Sequence, residues 1–387
     1  MTYVAVPTDS TRPLDSDDAS GGAAELRALK AYIQTLVSGS IPLTGYSWQG
    51  GRNRIRNGAV RLDQHQVGAG VVGSTGQQLY GPDGYKIVYS QTSKLAIGLA
   101  ATGVIAGGVL GPIGCPNYVV VATNTAVAAP VAGDFFALEL DIEDYLMFDF
   151  NYGQSSAKAA FVSFWWRASI AGDYAVAFRR PTGPRSYPTK FTYNTANTWQ
   201  LINIQVPGDL TTLMTTTTAA GIRLWFDLGS GTNFNAVNPN QWNANDLFKV
   251  TGCVEPIKTL GATIHISKVQ LEQDAFTPFE FLNIETDLGF NQRYFEQMPV
   301  NGRIVYNQGP NGAMMDVIFN TIKRTTVSLN YVGAMPTGEF TLAATSVVID
   351  RNRQDGVQLL WGGAGGPAAG TAGRMLTGGT LQFSAEL

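Results

Sequence analysis

The stretch VQLEQDAFTPFEFLNIETDLGFNQRYFE, residues 269–296, decides how the rest of the chain is divided. Its first residues alternate in the manner of a strand, with Val269 and Leu271 on one face. An acidic turn follows, and Pro278 then prevents the continuation of a central strand. We therefore predict that the stretch closes one large domain with a clasp at residues 277–280 and leads into a second. We interpret its acids as turn and edge charges: Glu272, Asp274 and Glu280.

The composition indicates a β-rich chain with many turns. The 387 residues include 44 glycines, and charged residues make up 14% against an average of about 25%. A net charge of -3 gives no reason to expect a nucleic-acid partner. Cys115 and Cys253 are too few for a disulfide scaffold, so we interpret them as buried free thiols, with a single bridge as the alternative.

The N-terminus lacks the basic start and apolar run of a signal peptide. No apolar stretch approaches the roughly 20 residues that a membrane span needs, so we expect no membrane insertion. We expect synthesis in a cytoplasm, and an external role would then require release by lysis or incorporation into a particle.

Residues 1–40 are predicted to be an acidic arm followed by a short docking helix. Four apolar residues are spaced as in a heptad seam: Leu26, Leu29, Ile33 and Leu36. A helix of this length is only marginally stable alone in water, so we expect its apolar seam to pack against another surface. That surface is a copy of the same helix, a groove on a partner protein, or the chain's own β-domain. Residues 41–79 are predicted to be a turn-rich linker. Three arginines of this linker are predicted to share one strand face: Arg52, Arg54 and Arg56. They would form either a solvated sheet edge or a contact with an acidic partner.

Residues 80–285 are predicted to form an antiparallel β-sandwich, and residues 286–387 a small C-terminal β-domain. The fold class is therefore mainly β. Four runs present one apolar face each, as in two packed sheets: Phe136, Leu138, Leu140 and Ile142; Val162, Phe164 and Trp166; Ile202, Ile204 and Val206; Ile222, Leu224, Phe226 and Leu228. An asparagine-rich insert, residues 229–251, is predicted to lie over one end.

Six blocks in this order resemble the jelly-roll module of phage tail and fibre proteins, which is similar to carbohydrate-binding modules: GDFFALELDIE, KAAFVSFWWRAS, PRSYPTKFTYNTANTWQLINIQVPGD, GIRLWFDLGSG, ATIHISKVQLE and TPFE. The stretch at 269–296 resembles one that recurs in phage virion proteins, except that Asn291 stands where a cysteine is frequent. The resemblance covers residues 80–296. It implies a virion structural role and a glycan-binding face.

Hydrolysis of a glycan would need two facing carboxylates roughly 5–9.5 Å apart. Five acids are candidates for this role: Asp141, Glu143, Asp144, Asp149 and Asp227. The sequence does not pair them, and the two histidines, His65 and His265, are far apart in the chain. We therefore predict no catalytic residues, no metal site and no cofactor.

Sugar recognition needs exposed aromatic rings surrounded by polar groups. Strand parity places Trp165 and Trp225 on the mixed faces, and loops contain Arg185, Tyr187 and Trp242. These five residues are the candidate glycan-binding residues. The alternative for each aromatic ring is burial under a second layer or in a subunit interface.

Together these features predict a homotrimeric structural protein of a tailed phage virion, assembled in the host cytoplasm. Residues 1–40 would attach it to other virion proteins, and the β-domains would take part in attachment to host polysaccharide. The alternatives are a lectin-like adhesin, a polysaccharide depolymerase tailspike, and a capsid or head fibre.

Overall fold

The computed structural model describes residues 51–387 except 69, 101–110, 113, 182–183, 214–216, 310–311, 336, 339–342 and 365–371. Residues from Asn53 onward form one compact unit. The predicted docking helix, with Leu26, Leu29, Ile33 and Leu36, lies outside the described residues. The four segment boundaries stay predictions. The described chain is mainly β and its strands pair antiparallel, which confirms the predicted fold class.

In the described part of the chain, twelve strands precede residue 274. They are β1 (Val71–Val72), β2 (Gln78–Tyr80), β3 (Tyr85–Tyr89), β4 (Leu95–Ala100), β5 (Tyr118–Thr123), β6 (Phe136–Glu143), β7 (Ala160–Ala168), β8 (Gly172–Arg180), β9 (Arg185–Tyr193), β10 (Gln200–Val206), β11 (Ala220–Asp227) and β12 (Thr263–Gln273). They form two 6-stranded sheets: sheet A, in the order β1-β4-β5-β12-β7-β10, and sheet B, in the order β2-β3-β6-β11-β8-β9. Short 3₁₀ segments lie at Asp144–Phe150, Thr232–Phe234 and Pro256–Lys258.

The two sheets pack face to face around one hydrophobic core. The four apolar runs predicted from the sequence all point into it, and each of their residues is buried. Trp166 of sheet A stacks on Phe226 of sheet B at a centroid distance of 5.5 Å. Phe164 meets the same ring edge-on at 5.1 Å. Aromatic pairs of this kind contribute about 0.5–1.5 kcal/mol beyond the area that they bury.

Residues 269–296 begin in β12, which lies between β5 and β7 in the middle of sheet A. The segment after β12 folds back on it, because the Gln270 Oε1 accepts a hydrogen bond from the Glu280 N–H at 2.8 Å. The interpretation of Glu272 as an edge charge is wrong. Its carboxylate is buried and accepts bonds from the Thr277 N–H and hydroxyl, both at 2.7 Å, which compensate for its desolvation.

A helix, α1 (Ile284–Gln292), follows the clasp and was not predicted. Asn283 caps it by accepting a bond from the Glu285 N–H, and Glu285 and Asp287 place negative charge in the first turn. No helix in the described part of the chain has the length and apolarity to cross a membrane.

The remaining strands are β13 (Phe295–Pro299), β14 (Ile304–Gly309), β15 (Gly312–Ile318), β16 (Ser328–Val332), β17 (Thr337–Gly338), β18 (Ala343–Asn352), β19 (Gly356–Ala364), β20 (Ala372–Thr377) and β21 (Thr380–Ser384). They form a 3-stranded sheet, β13-β21-β16, and a 6-stranded sheet, β17-β20-β14-β15-β19-β18. A second hydrophobic core lies among them, with Trp361 and Phe383 fully buried.

The C-terminal region contacts the outer face of sheet B. Glu143, at the end of β6, accepts bonds from the Arg293 guanidinium and from the Tyr294 hydroxyl, the latter at 2.8 Å. The alternating arginines before β1 do not form a strand. Instead, Arg54 pairs with Asp149 at 2.7 Å, and Arg56 pairs with Glu386.

Cys115 and Cys253 are both free thiols. Cys115 is buried as predicted, whereas Cys253 is only half-buried.

Candidate functional site

The outer face of sheet B gathers an unusual set of charged side chains. Leu138 and Leu140 of β6 point into the core, so Glu139 and Asp141 point outward. The register places Trp225 of β11 opposite Glu139, and Arg223 opposite Asp141. Arg223 in turn faces Arg179 of β8. Antiparallel pairing therefore brings two carboxylates, two guanidinium groups and an indole together.

Lys86 of β3 completes the group. Its Nζ lies 3.1 Å from the Glu139 Oε1 and 2.5 Å from the Asp141 Oδ2. Burial alone would lower the pKa of Lys86, but Asp141 and Glu139 outweigh it and raise that pKa. Burial, with a further contribution from Asp141, raises the pKa of Glu139. We call this set, namely Lys86, Glu139, Asp141, Arg179, Arg223 and Trp225, the charged cleft.

All members of the charged cleft except Asp141 line an open cavity of about 380 Å³. Its lining also includes Phe234 and Phe248 of the asparagine-rich insert, together with Phe135, Gln77 and Gln78. This size falls within the range of small-molecule sites, roughly 300–1,000 Å³.

Five side chains of the charged cleft have a buried polar atom without a hydrogen-bond partner among the described residues, and two of these atoms, the Arg223 Nε and the Asp141 Oδ1, form an ion pair at 3.1 Å. The other three atoms are the Glu139 Oε2, the Arg179 Nη1 and the Trp225 Nε1, and the first two lie 3.7 Å apart as an ion pair. Their residues are exposed by only 1%, 9% and 4%, respectively. Most buried polar atoms have a partner, and leaving one unpaired costs about 1–3 kcal/mol. The cleft thus offers one acceptor and two donors to a molecule that enters it.

Trp225 does not present an open ring face for stacking. The Arg179 guanidinium carbon lies 4.0 Å from the centroid of the ring, and the Phe248 ring lies 4.5 Å from it. What Trp225 offers to the cleft is the N–H at its edge. Its predicted glycan-binding role stays a prediction.

Arg185, Tyr187 and Trp242 meet at another place. The Trp242 ring lies 5.7 Å from Tyr187 and 6.0 Å from the Arg185 guanidinium carbon. The Trp242 Nε1 donates to the Pro207 carbonyl at 2.7 Å, and the Arg185 Nε donates to Asp209 at 2.9 Å. We call Arg185, Tyr187 and Trp242 the aromatic cluster.

A second cavity, of about 500 Å³, extends from Tyr187 between β9 and β10, the outer strands of their sheets. Among the described residues, no buried side-chain nitrogen or oxygen in its lining lacks a hydrogen-bond partner.

Trp165 lies apart from both groups. It is half-buried on the outer face of sheet A, between Leu201 of β10 and Ser267 of β12. On the same face the Arg167 Nη1 donates to the Nδ1 of His265 at 2.8 Å. Burial and Arg167 lower the pKa of His265 to about 3, so this histidine is neutral at ordinary pH.

The five acids considered for hydrolysis are not gathered in one place. Asp141 lies in the charged cleft, Glu143 binds Arg293, and Asp149 pairs with Arg54. Asp144 accepts a bond from Thr217 at 3.3 Å, and Asp227 accepts one from the Ser230 N–H at 3.0 Å. Burial raises the pKa of Asp227 to about 6. Residues 51–387, where described, contain no group of three metal-ligating side chains.

The sequence patterns do not identify four residues of the charged cleft as site residues: Lys86, Glu139, Arg179 and Arg223. A signal for two of them was present, since Glu139 and Arg223 alternate with core leucines in β6 and β11. Lys86 and Arg179 likewise alternate with core residues of β3 and β8, but the proximity of all four depends on the order of strands in sheet B.

No protein-family model matches the chain, and no curated protein matches it. Solved structures that resemble it include an arabinose-bound α-L-arabinofuranosidase, at 14% identity over 49% of this chain and 23% of that one, with a TM-score of 0.27. Another is the enzymatically active domain of tailspike protein 4 of bacteriophage CBA120, at 11% identity over 47% of this chain and 20% of that one, with a TM-score of 0.24. A third is the family 11 carbohydrate-binding module of Clostridium thermocellum, at 12% identity over 51% of this chain and 94% of that one, with a TM-score of 0.24. The chain thus spans less than a quarter of the length of the first two.

Proposed function

We propose that the charged cleft binds a saccharide. The observation that supports this is the set of polar atoms without a hydrogen-bond partner on Glu139, Arg179 and Trp225, three buried residues in the lining of one cavity. A sugar hydroxyl both donates and accepts hydrogen bonds. One hydroxyl oxygen can therefore bridge the 3.7 Å between the Glu139 Oε2 and the Arg179 Nη1.

The test is titration calorimetry against surface polysaccharides that bind in a glycan-array screen. Glu139→Gln keeps the shape of the side chain and removes the charged acceptor, so we expect a loss of affinity of about tenfold or more. The matched control is Asp173→Asn on the same strand as Arg179, since Asp173 pairs with Lys190 at a more exposed position. Equal affinity of Glu139→Gln and the wild type would contradict the proposal.

We further propose that the protein is a non-enzymatic appendage of a tailed phage virion, a homotrimer anchored through residues 1–40 and taking part in host attachment. The support is the ordered resemblance of the sequence blocks, which fall on β6, β7, β9 and β10, β11, β12 and the clasp. A head fibre would share this construction.

Light scattering tests the assembly, for which we expect three times the chain mass of 41.4 kDa. A stable monomer at micromolar concentration would contradict the homotrimer. Shortening of a bound polysaccharide during incubation with the protein would instead favour the depolymerase alternative.

A further inference from the structure

We infer that the edge of β10 pairs with β10 of a second copy of this chain, in antiparallel orientation and with the two Asn203 residues opposite each other. The pairing goes beyond the proposed function, because it involves neither the charged cleft nor residues 1–40. It depends on an open edge of sheet A and on the symmetry of one strand's sequence.

The free side of β10 is an edge of sheet A. The strand pairs with β7 along its whole length, from Gln200 opposite Trp166 to Val206 opposite Ala160, without a register shift. No other strand in the described part of the chain pairs with it. In an antiparallel pair, every second residue turns its N–H and C=O away from the neighbouring strand. These groups form a regular row along the 7 residues of β10, which is a template for a further strand.

The other edges of the two sandwich sheets are protected against such pairing. β1 and β2 contain only 2 and 3 residues. β9 carries Pro188 and Lys190, and the asparagine-rich insert covers its first half. There Ser186 forms a β-bridge with Asn243, and the Pro188 carbonyl accepts a bond from the Asn240 N–H at 2.8 Å. Short strands, prolines, lysines and covering loops all block edge pairing. β10, with the sequence QLINIQV, is longer and contains neither a charged residue nor a proline.

The open cavity of about 500 Å³ between β9 and β10 runs along this edge, and residues 200–205 are all part of its lining. The buried side-chain nitrogens and oxygens of that lining have hydrogen-bond partners within the described chain. The groups that the edge offers to an occupant are therefore those of the main chain. An extended main chain matches them, because its own donors and acceptors repeat at the same interval.

The sequence of β10 is nearly symmetrical about Asn203, which favours a second copy of the same strand as the occupant. A twofold axis at Asn203 aligns all 7 residues of two antiparallel copies. Ile202 of each copy then lies opposite Ile204 of the other, and Leu201 lies opposite Gln205. Opposed β-branched side chains stabilise an antiparallel pair, and no like charges meet because β10 has none. The two Asn203 carboxamides can donate and accept hydrogen bonds with each other.

The pairing would also cover apolar surface on the outer face of sheet A. Leu201 is exposed by 48% and lies opposite the half-buried Trp165 of β7. Gln205 of the second copy would lie beside Leu201, so the methylene groups of the glutamine would reduce its exposure.

Light scattering of the full chain at increasing concentration tests the pairing. The contact is twofold, so it would join two chains, or two of the proposed homotrimers, and at least double the mass in either case. We expect this increase between about 1 and 500 µM, a range that covers weak contacts. Asn203→Lys should abolish it, since like charges would then lie directly opposite each other.

The matched control is Val348→Lys, at a position exposed by 52% in β18, which is an edge strand of the C-terminal 6-stranded sheet. This variant should show the same increase as the wild type. A wild-type mass that stays constant over the range, or an increase that persists in Asn203→Lys, would overturn the inference.

A charge exchange tests whether Asn203 faces its own counterpart. Asn203→Lys and Asn203→Glu should each lack the increase, and an equimolar mixture of the two should regain it, because opposite charges then meet. If the mixture stays at the lower mass, the two residues are not opposite each other and the inferred pairing is wrong.

Cysteine cross-linking tests the register, in a Cys253→Ala background because Cys253 is a half-buried free thiol. Asn203→Cys would place two Cβ atoms about 5 Å apart, whereas Leu201→Cys would leave them about 14 Å apart. On oxidation we expect about tenfold more covalent dimer from Asn203→Cys than from Leu201→Cys, and efficient dimer formation between Leu201→Cys and Gln205→Cys. Equal yields from the two single variants would contradict the inferred register.

Discussion

The charged cleft and the aromatic cluster contain the same kinds of side chain, a tryptophan and an arginine beside an aspartate, and differ in how they are bonded. The indole N–H of Trp242 donates to the Pro207 carbonyl, and Arg185 is paired with Asp209. In the charged cleft the indole N–H of Trp225 and one guanidinium nitrogen of Arg179 have no hydrogen-bond partner within the described part of the chain. Capacity to bind a ligand thus depends on which polar atoms the fold leaves unpaired, and residue type alone does not reveal it.

The largest contrast that we expect is in stability. Trp225→Ala removes a ring that is only 4% exposed, so it should reduce the free energy of unfolding by about 3–5 kcal/mol. Trp242→Ala should reduce it less, because Trp242 is half-buried. Denaturant unfolding of both variants measures the difference. An equal or larger loss for Trp242→Ala would mean that the aromatic cluster is the better packed of the two.

A second contrast concerns the pH dependence of stability. It involves a buried cluster of Glu386, Arg56 and His65. Burial would raise the pKa of Glu386, but Arg56 and His65 outweigh it and lower that pKa to about 2 from 4.5. A lowered carboxylate pKa contributes stability above pH 4.5 that is lost as the pH falls toward 2, here about 3 kcal/mol in full.

Glu386→Gln should therefore destabilise the protein at pH 7, and its difference from the wild type should shrink between pH 5 and pH 3. Urea unfolding at several pH values measures this. The control is Asp355→Asn, in an exposed pair with Arg353, which should show no such trend. A constant difference for Glu386→Gln would contradict the assignment.

The smallest expected effects distinguish the charged cleft from the aromatic cluster most directly. Trp225→Phe and Trp242→Phe each remove an indole N–H and keep an aromatic ring. Trp242→Phe breaks a hydrogen bond within the protein, so we expect a loss of stability of up to about 1 kcal/mol and unchanged saccharide affinity. Trp225→Phe breaks none, so we expect saccharide affinity to fall about fivefold. The reverse pattern in calorimetry and unfolding would assign binding to the aromatic cluster.

The sequence predicted the sandwich well because period-two alternation is a local property. The inward residues of β6, β7, β10 and β11 were all identified correctly from it. The alternation also placed Trp225 on the outer face of sheet B. It did not reveal that the asparagine-rich insert packs Phe248 onto that face, since this contact joins segments that no periodicity relates.

The site was harder to predict than the fold for the same reason. Arg185, Tyr187 and Trp242 were chosen as exposed loop residues and do lie together, but β9 begins at Arg185 and Tyr187 is only 7% exposed. Glu139 and Arg179 come together only because β11 lies between β6 and β8. Strand order depends on long-range packing, so no pattern within one strand could have predicted their contact. The buried Glu272 was misjudged because its partner, Thr277, becomes a partner only when the clasp folds back.

The position of β12 has a consequence for the kinetics of folding. It lies between β5 and β7, which precede it by roughly a hundred residues or more, and it joins β1-β4-β5 to β7-β10. Until β12 emerges during synthesis, sheet A consists of two pieces with unpaired edges facing each other. Such edges recruit strands from other chains, and pairing over this sequence separation is slow. Chains that terminate before Thr263 should therefore aggregate during translation, even though all six strands of sheet B have been made by then.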